Sequence, residues 1–398
     1  MNAELVESMF SRATGAGIDP HDYRQACAAM ATPADWAPAC AAAAERYRAA
    51  AHDRAAATQD RVAVAQDRVA VAQDRAAVAQ DRAAAQGRVA TAQDRVVGAQ
   101  DRVATEPPTG HDRPDRGSAV ARCRTVPPSS VTRGENLLMA ARWAHLATLI
   151  PDSDHPVHAA AADSDAEEGF SLLEPGSRRI TGRDFTGILR GPAHAERTVI
   201  VVPGLDSSKD EFHVLADALV RRGAAVFAMD GPGQGALAAT STMTTDYPAV
   251  IGAAIDALGA AEVGVVGLSL GGYYAAAAAA LDPRITVAAT VSGPFRLDWP
   301  ALPDPIADLI TRRAGSREAG EAFASTVDLT TLAPALRCPL LVVDGADDVI
   351  PGVTDGAPLA RSAPRAHYLR IPGGDHLVGN NQPAWLPVVA DHLTEGIQ

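Results

Sequence analysis

The chain has 398 residues, 47 % hydrophobic and only 4 % aromatic, enough for one large α/β domain plus an appendage with a core built on Ala, Val and Leu. A formal net charge of −13 argues against nucleic acid or an anionic membrane as the main partner, and no stretch reaches the ~20 apolar residues of a membrane span. Met1 to Phe10 carries two glutamates and no basic residue, unlike a secretory leader, and the four cysteines (Cys27, Cys40, Cys123, Cys338) lack metal-ligand spacing. The expectation is a cytoplasmic protein with free thiols and no metal or organic cofactor.

Residues 1–57 read as helical, with Trp36, Cys40, Ala43 and Tyr47 on one face that packs against another helix. From 58 to 105 the unit Ala-Gln-Asp-Arg-Val-Ala-Val recurs, clean at Ala65 to Val71. A seven-residue repeat suggests a coiled coil, but the Val69/Ala72 seam is narrow, and a residue missing between Arg82 and Gln86 swings the stripe by roughly 100°. A low-complexity insertion without chemistry is the rival reading. Residues 106–130 hold Pro107, Pro108, Pro114, Pro127 and Pro128 and read as a linker. Helix resumes near Arg133 and stops before Pro151, and the second helical part is assigned to 131–176.

An α/β domain is expected over 177–398. Arg178 to Thr181 and Phe185 to Leu189 predict a hairpin. Strand and helix signals then alternate: strand Thr198 to Pro203, helix Ser207 to Arg222, strand Ala224 to Asp230, helix Ala249 to Leu258, strand Val263 to Leu268, helix Tyr273 to Leu281, strand Ile285 to Val291. An insertion over 295–327 contains Trp299, Leu302, Ile306 and Ile310, which either line a pocket or fill the protein's own core. Strands Leu340 to Asp344 and Ala366 to Ile371 follow, then a helix around Trp385 to Leu393. Apolar strands alternating with helices imply a mainly parallel sheet covered on both faces, with ligands beyond its carboxyl edge.

The informative stretch is Gly267-Leu268-Ser269-Leu270-Gly271, between a valine-rich strand and an alanine-rich helix. So sharp a strand-to-helix turn strains the middle residue and exposes its side chain, and glycines on either side avoid collisions with neighbouring backbone. Ser269 is therefore the candidate nucleophile, against the plainer reading of a helix-capping serine. A serine hydroxyl needs a base. Of eleven histidines, His376 alone follows the last strand in a glycine-rich loop. The acid lies after Leu340 to Asp344, where counting forward from Gly345 selects Asp348 and counting back from Pro351 selects Asp347; the strand end favours Asp348. The oxyanion donors by chain order are the backbone N–H groups of Leu270 and of Leu205, in Pro203-Gly204-Leu205-Asp206.

Gly204-Leu205-Asp206-Ser207-Ser208-Lys209-Asp210-Glu211, Asp230-Gly231-Pro232-Gly233-Gln234-Gly235, the Ser269 motif, and Gly374-x-His376 with Asn380 together resemble one branch of the α/β-hydrolases. That branch includes FrsA-like esterases, 2,6-dihydroxypseudooxynicotine hydrolase and pigment-pathway enzymes that shorten polyketides. The resemblance covers about 130–398 and part of the first helical region. It implies the α/β-hydrolase fold, an N-terminal helical cap split by the insertion at 58–130, a homodimer, and Asp348 as the acid, in Gly345-x-x-Asp348-x-x-Pro351. It also implies hydrolysis of an ester, or of a C–C bond beside a ketone, in a small apolar, aromatic or polyketide-like substrate. For C–C cleavage a proton donor is needed, and Asp210 or Glu211 is a candidate; the alternative is two solvated charges at the start of a helix. Rival functions are an acyltransferase on the same residues, a non-catalytic binding protein of this fold, and a scaffold assembled through the repeat.

Overall fold

The computed structural model describes residues 3–28, 30–52, 129–150 and 155–395. Among them, eight strands form one sheet in the order β1-β2-β4-β3-β5-β6-β8-β10. Its members are β1 (Arg178–Thr181), β2 (Thr186–Arg190), β3 (Thr198–Val202), β4 (Ala225–Asp230), β5 (Val263–Leu268), β6 (Ile285–Val291), β8 (Leu340–Gly345) and β10 (Ala366–Ile371). The β1/β2 and β2/β4 pairs are antiparallel and every other pair is parallel. A two-stranded ribbon, β7 (Arg296–Leu297) with β9 (Val353–Thr354), stands apart.

Strands β4, β5 and β8 are buried at every position, as their unbroken apolar runs predict. Alternate residues face opposite layers. Val265, Leu340 and Val342 join the core beneath α7 (Tyr247–Leu258), α8 (Leu270–Leu281) and α11 (Ala357–Ser362). Val266, Leu341 and Val343 join the core beneath α6 (His213–Val220) and α12 (Gln382–Glu395). With few aromatic rings available, α8 packs through Ala275, Ala276, Ala277 and Ala278, all essentially inaccessible. Small side chains let the helix axis lie close to the sheet.

The N-terminal helices are α1 (Ala3–Gly15), α2 (Pro20–Ala28), α3 (36–52), α4 (Ser130–Ala147) and α5 (His155–Leu173). Of the predicted face, Trp36, Cys40 and Ala43 are fully buried in one core with Trp143 and Leu146, Tyr47 packs on it half-buried, and the Trp36 indole N–H donates to the Leu146 carbonyl at 2.7 Å. Ser129 caps α4 by accepting the Thr132 N–H. Gly134 and Gly169 let α4 and α5 touch: a Cβ on Gly134 would lie 3.0 Å from the Gly169 carbonyl oxygen. Leu138, Ala141, Ala166 and Phe170 then dock this pair on Ile188 of β2. The repeat at 58–105, the coiled coil inferred from it, and the linker up to residue 128 lie outside the described residues. Among the described residues, no helix is long and apolar enough to cross a membrane.

Three helix starts in the α/β domain differ from the sequence expectation, α7 by two residues at Tyr247 and two others by more. Helix α8 begins at Leu270, not Tyr273, because Gly271 and Gly272 are used for close approach and not as a break. Helix α6 begins at His213, not Ser207. Residues 207–212 are instead held by side-chain ion pairs to distant helices, described below.

Candidate active site

Strand register brings the site together. Val202 pairs with Gly267, Leu268 with Val291, and Val291 with Val343, so Pro203, Ser269, Ser292 and Asp344 follow at one edge. Ser269 N–H donates to the Val291 carbonyl, and Ser292 N–H to the Val343 carbonyl, each at 2.8 Å. Ser269 has φ 54° and ψ −129°, the strained turn that its motif predicts. A Cβ on Gly267 would collide with the Gly271 carbonyl, and one on Gly271 with the carbonyls of Val202 and Pro203. Among the described residues, the non-glycine positions with positive φ are Ser269, Ser292, Leu377 and Val378. Ser269 and Ser292 end adjacent strands, and Leu377 and Val378 directly follow His376, so all four lie in this one corner of the fold.

His376 Nε2 lies 3.0 Å from Ser269 Oγ, and its Nδ1 lies 3.0 Å from Asp348 Oδ2. Of the two aspartates weighed, Asp348 is the one in contact; the Asp347 side chain is exposed, and its backbone N–H donates to the Gly374 carbonyl at 2.9 Å. That last bond ties the acid's loop to the base's loop. Burial pushes the Asp348 carboxyl up, but hydrogen bonds from His376 and Ser292, with the imidazole's charge, hold it below its ordinary value. Asn380 closes the His376 loop on itself, donating to the Gly373 carbonyl at 2.8 Å.

Leu205 and Leu270 both line the cavity that contains Ser269. Leu270 is the first residue of α8, so its N–H precedes the intrahelical ladder. A Cβ on Gly204 would lie 3.0 Å from that of Ser269, so the backbone leading to Leu205 passes directly against the serine. The cavity measures about 200 Å³. Leu297, Ile306, Leu309, Ile310, Ile350 and Val353 make its apolar walls, and Arg12 and Asp206 also line it. Ile306, Leu309 and Ile310 come from α9 (Asp304–Ala314) in the insertion, whose second helix is α10 (Arg317–Thr326). Of the four insertion residues singled out in the sequence, Ile306 and Ile310 line the cavity; Leu302 is core, and Trp299 packs partly buried with Arg317 over its ring. Among the described residues, no cluster of His, Cys, Asp and Glu is arranged to hold a metal ion.

Asp210 and Glu211 are not the solvated charges of a helix start. Both are buried and precede α6. Lys209 Nζ lies 2.7 Å from Asp210 and 2.7 Å from Asp163 of α5. Glu211 receives Arg12 Nε at 2.5 Å and faces His145 Nε2 at 3.1 Å. Burial raises the Glu211 carboxyl, yet the charge and hydrogen bonds of Arg12 and His145 outweigh it and hold the group far below its usual range. Neither acid lines the Ser269 cavity, so neither is placed to protonate a leaving group there.

Two residues escaped the sequence reading. Ser292 accepts the Leu377 N–H at 2.9 Å, directly after the base, and lines one small cavity with Asp348 and His376. Its only local signal is a Ser-Gly pair after a strand. Arg12 of α1 reaches Asp206, Ser207 and Glu211, and local pattern holds no trace of that contact.

Asp344 lies behind Asp348 and accepts the Gly356 N–H at 2.9 Å. Burial, then the negative charge of Asp355, push its carboxyl up to about 6. A folded state that holds this proton more tightly than the unfolded chain loses stability as pH rises from about 4 to 6, then levels off. Asp344→Asn is therefore expected to be more stable than wild type by about 2–3 kcal/mol at pH 8 and equal to it near pH 4, read by urea denaturation at both pH values.

A family model described as the alpha/beta hydrolase fold matches residues 197–313. The 2,6-dihydropseudooxynicotine hydrolase of Paenarthrobacter nicotinovorans is 29 % identical over 177 residues, 42 % of this chain and 48 % of that protein. Hydrolase LUC6 from a Fusarium species is 30 % identical over 172 residues, 37 % of this chain and 41 % of that protein. The chain thus spans less than half the length of each of these curated relatives. The crystal structure of the 2,6-dihydroxy-pseudo-oxynicotine hydrolase superposes with a TM-score of 0.70 at 19 % identity, over 97 % of this chain and 95 % of that one. The chain has the α/β-hydrolase fold, and its similarity to the pseudooxynicotine hydrolase, in sequence and in fold, supports the branch that the combined motifs resemble.

Proposed function

We propose that the protein is a serine hydrolase acting on a small, largely apolar carbonyl compound through Ser269, His376 and Asp348. The observation that carries this reading is the unbroken contact from Ser269 Oγ to His376 Nε2 and from His376 Nδ1 to Asp348, opening into an apolar cavity. In the first step His376 Nε2 takes the Ser269 proton while Oγ bonds to the substrate carbonyl carbon. The carbonyl oxygen becomes an oxyanion, received by the N–H groups of Leu205 and Leu270. Asp348 keeps the imidazole in the productive tautomer and stabilises its cation without taking the proton. Collapse breaks the bond to the leaving group, and the imidazolium Nε2–H protonates it. Water, deprotonated by His376, then releases the acid and restores Ser269.

An ester and a ketone-activated C–C bond use the same steps and differ in the leaving group, alkoxide or stabilised carbanion. With Asp210 and Glu211 outside the cavity, His376 is the proton donor in both cases. Only a substrate whose carbanion is already delocalised then suits C–C cleavage. The cavity is small beside the ~300–1,000 Å³ of pockets for drug-sized ligands, which favours a short acyl chain or a single ring. Buried free thiols at Cys27, Cys40 and Cys338 suit a reducing, cytoplasmic setting, and the proposal of a homodimer rests on resemblance alone.

The test is a panel of p-nitrophenyl esters of increasing acyl length beside aryl β-diketones, with purified full-length protein. Short esters are expected to turn over with an acyl-enzyme burst. Diketone cleavage alone would shift the assignment to C–C hydrolysis, ester product formed with added alcohol would shift it to acyl transfer, and a folded protein inert to all of them would favour a binding role.

A further inference from the structure

The residue that joins the N-terminal helices to this site is Arg12. Its guanidinium donates to Asp206 from Nη1 at 2.7 Å, to Ser207 Oγ from Nη2 at 3.0 Å, and to Glu211 from Nε at 2.5 Å and Nη2 at 2.8 Å. All three partners lie on the segment between β3 and α6, which also carries Leu205. Nearly two hundred residues separate Arg12 from this loop in sequence, so the contact exists only because α1 is docked. A second anchor comes from α4: His145 lies 3.1 Å from Glu211 Oε2 and 3.0 Å from Ser208 Oγ.

Helix α1 also braces the loop of the base. Gln382 Nε2 donates to the Gly15 carbonyl at 2.9 Å, and a Cβ on Gly379 would lie 3.0 Å from the Ser11 carbonyl oxygen. One helix therefore presses on both loops that converge on Ser269, one bearing an oxyanion donor and the other bearing His376.

We propose that Arg12 is a positioning residue, which fixes the Leu205 N–H at the oxyanion position by clamping Asp206 and Glu211; this rests on the hydrolase reading above. Two carboxylates so close in a largely water-excluded loop repel each other unless a cation lies between them. Removing the guanidinium frees the loop to spread, and the N–H beside Asp206 moves with it. The loss falls on the transition state, because the oxyanion exists only there. A helix acting only as a lid would change substrate binding instead. Two charges facing a planar fork also explain arginine over lysine at this position.

The experiment compares wild type, Arg12→Ala, Arg12→Lys and Arg48→Ala in ester hydrolysis, fluorophosphonate labelling and thermal melting. Arg48 pairs with Asp165 within the N-terminal helices and serves as the structural control. Arg12→Ala is expected to lose ~10–100-fold in kcat with KM changed less than about threefold, with partial rescue by added guanidinium below denaturing concentrations. Arg12→Lys is expected to fall between the two, and Arg48→Ala to keep kcat whatever it loses in melting temperature. An Arg12→Ala protein with wild-type kcat, or a kcat loss matched by Arg48→Ala at equal thermal destabilisation, overturns the proposal and leaves the hydrolase reading standing. Should Arg12→Ala not fold, Glu211→Gln carries the same split, with kcat falling and KM holding in support and an unchanged kcat against. A wild type that neither turns over esters nor labels at Ser269 removes the hydrolase reading and this proposal with it.

Discussion

Replacing Ser269 with alanine is expected to lower turnover of an activated ester by about 10⁴- to 10⁶-fold without unfolding the protein. What remains is the contribution of binding and the oxyanion donors. Ser269→Gly is expected to be equally inactive yet more stable than Ser269→Ala. The backbone at this position has φ 54°, a region that any side chain with a Cβ enters at a cost. Such strain amounts to ~1–3 kcal/mol, partly offset by the larger unfolded-state entropy of glycine, which leaves about 1 kcal/mol in favour of the glycine variant. Both variants lose the bond to His376, so their difference in urea midpoint isolates the Cβ. Equal midpoints would limit the strain of this turn to the glycine entropy cost of about 0.5–1 kcal/mol, and a less stable glycine variant would show that the turn stores still less.

Asp348→Asn is expected to reduce kcat by ~10³–10⁴-fold, whereas Asp347→Asn stays within about threefold of wild type. An asparagine amide at 348 would donate to His376 Nδ1 or leave it unpaired, which favours the wrong tautomer and withdraws the charge that stabilises the imidazolium. Asp347 offers no comparable contact: its side chain is exposed, and the part it plays is a backbone bond to Gly374. Steady-state kinetics of the two single variants check this directly. The reverse pattern, with Asp347→Asn inactive, would require a loop arrangement different from the one described.

The middle of the sheet was legible because β3, β4, β5, β6 and β8 are largely apolar runs, buried on both faces, and each such run in the sequence became a strand within a residue or so. Val263 to Leu268 followed by Ser269 is the clearest case: strand, turn and helix are encoded locally, and two glycines mark the close contacts. Chain order pointed to His376, and loop spacing with the Gly-x-x-Asp-x-x-Pro pattern favoured Asp348 over Asp347; in the structure His376 lies against Ser269, and Asp348 against His376. What local pattern missed is long-range and polar. Ser207 to Phe212 has the composition of a helix start, yet Lys209 is taken up by Asp163, and Glu211 by Arg12 and His145, from three other helices. Arg12 itself looks like any arginine on an amphipathic helix, since its partners are set by docking and not by periodicity.

The central claim is that the imidazole of His376 activates the hydroxyl of Ser269, and covalent labelling tests it without knowledge of the substrate. Incubation with a fluorophosphonate, followed by peptide mapping by mass spectrometry, is predicted to give one adduct, on Ser269, formed ~10³-fold more slowly in His376→Ala. An adduct on another serine, no adduct at all, or a His376→Ala protein labelled at the wild-type rate would contradict it.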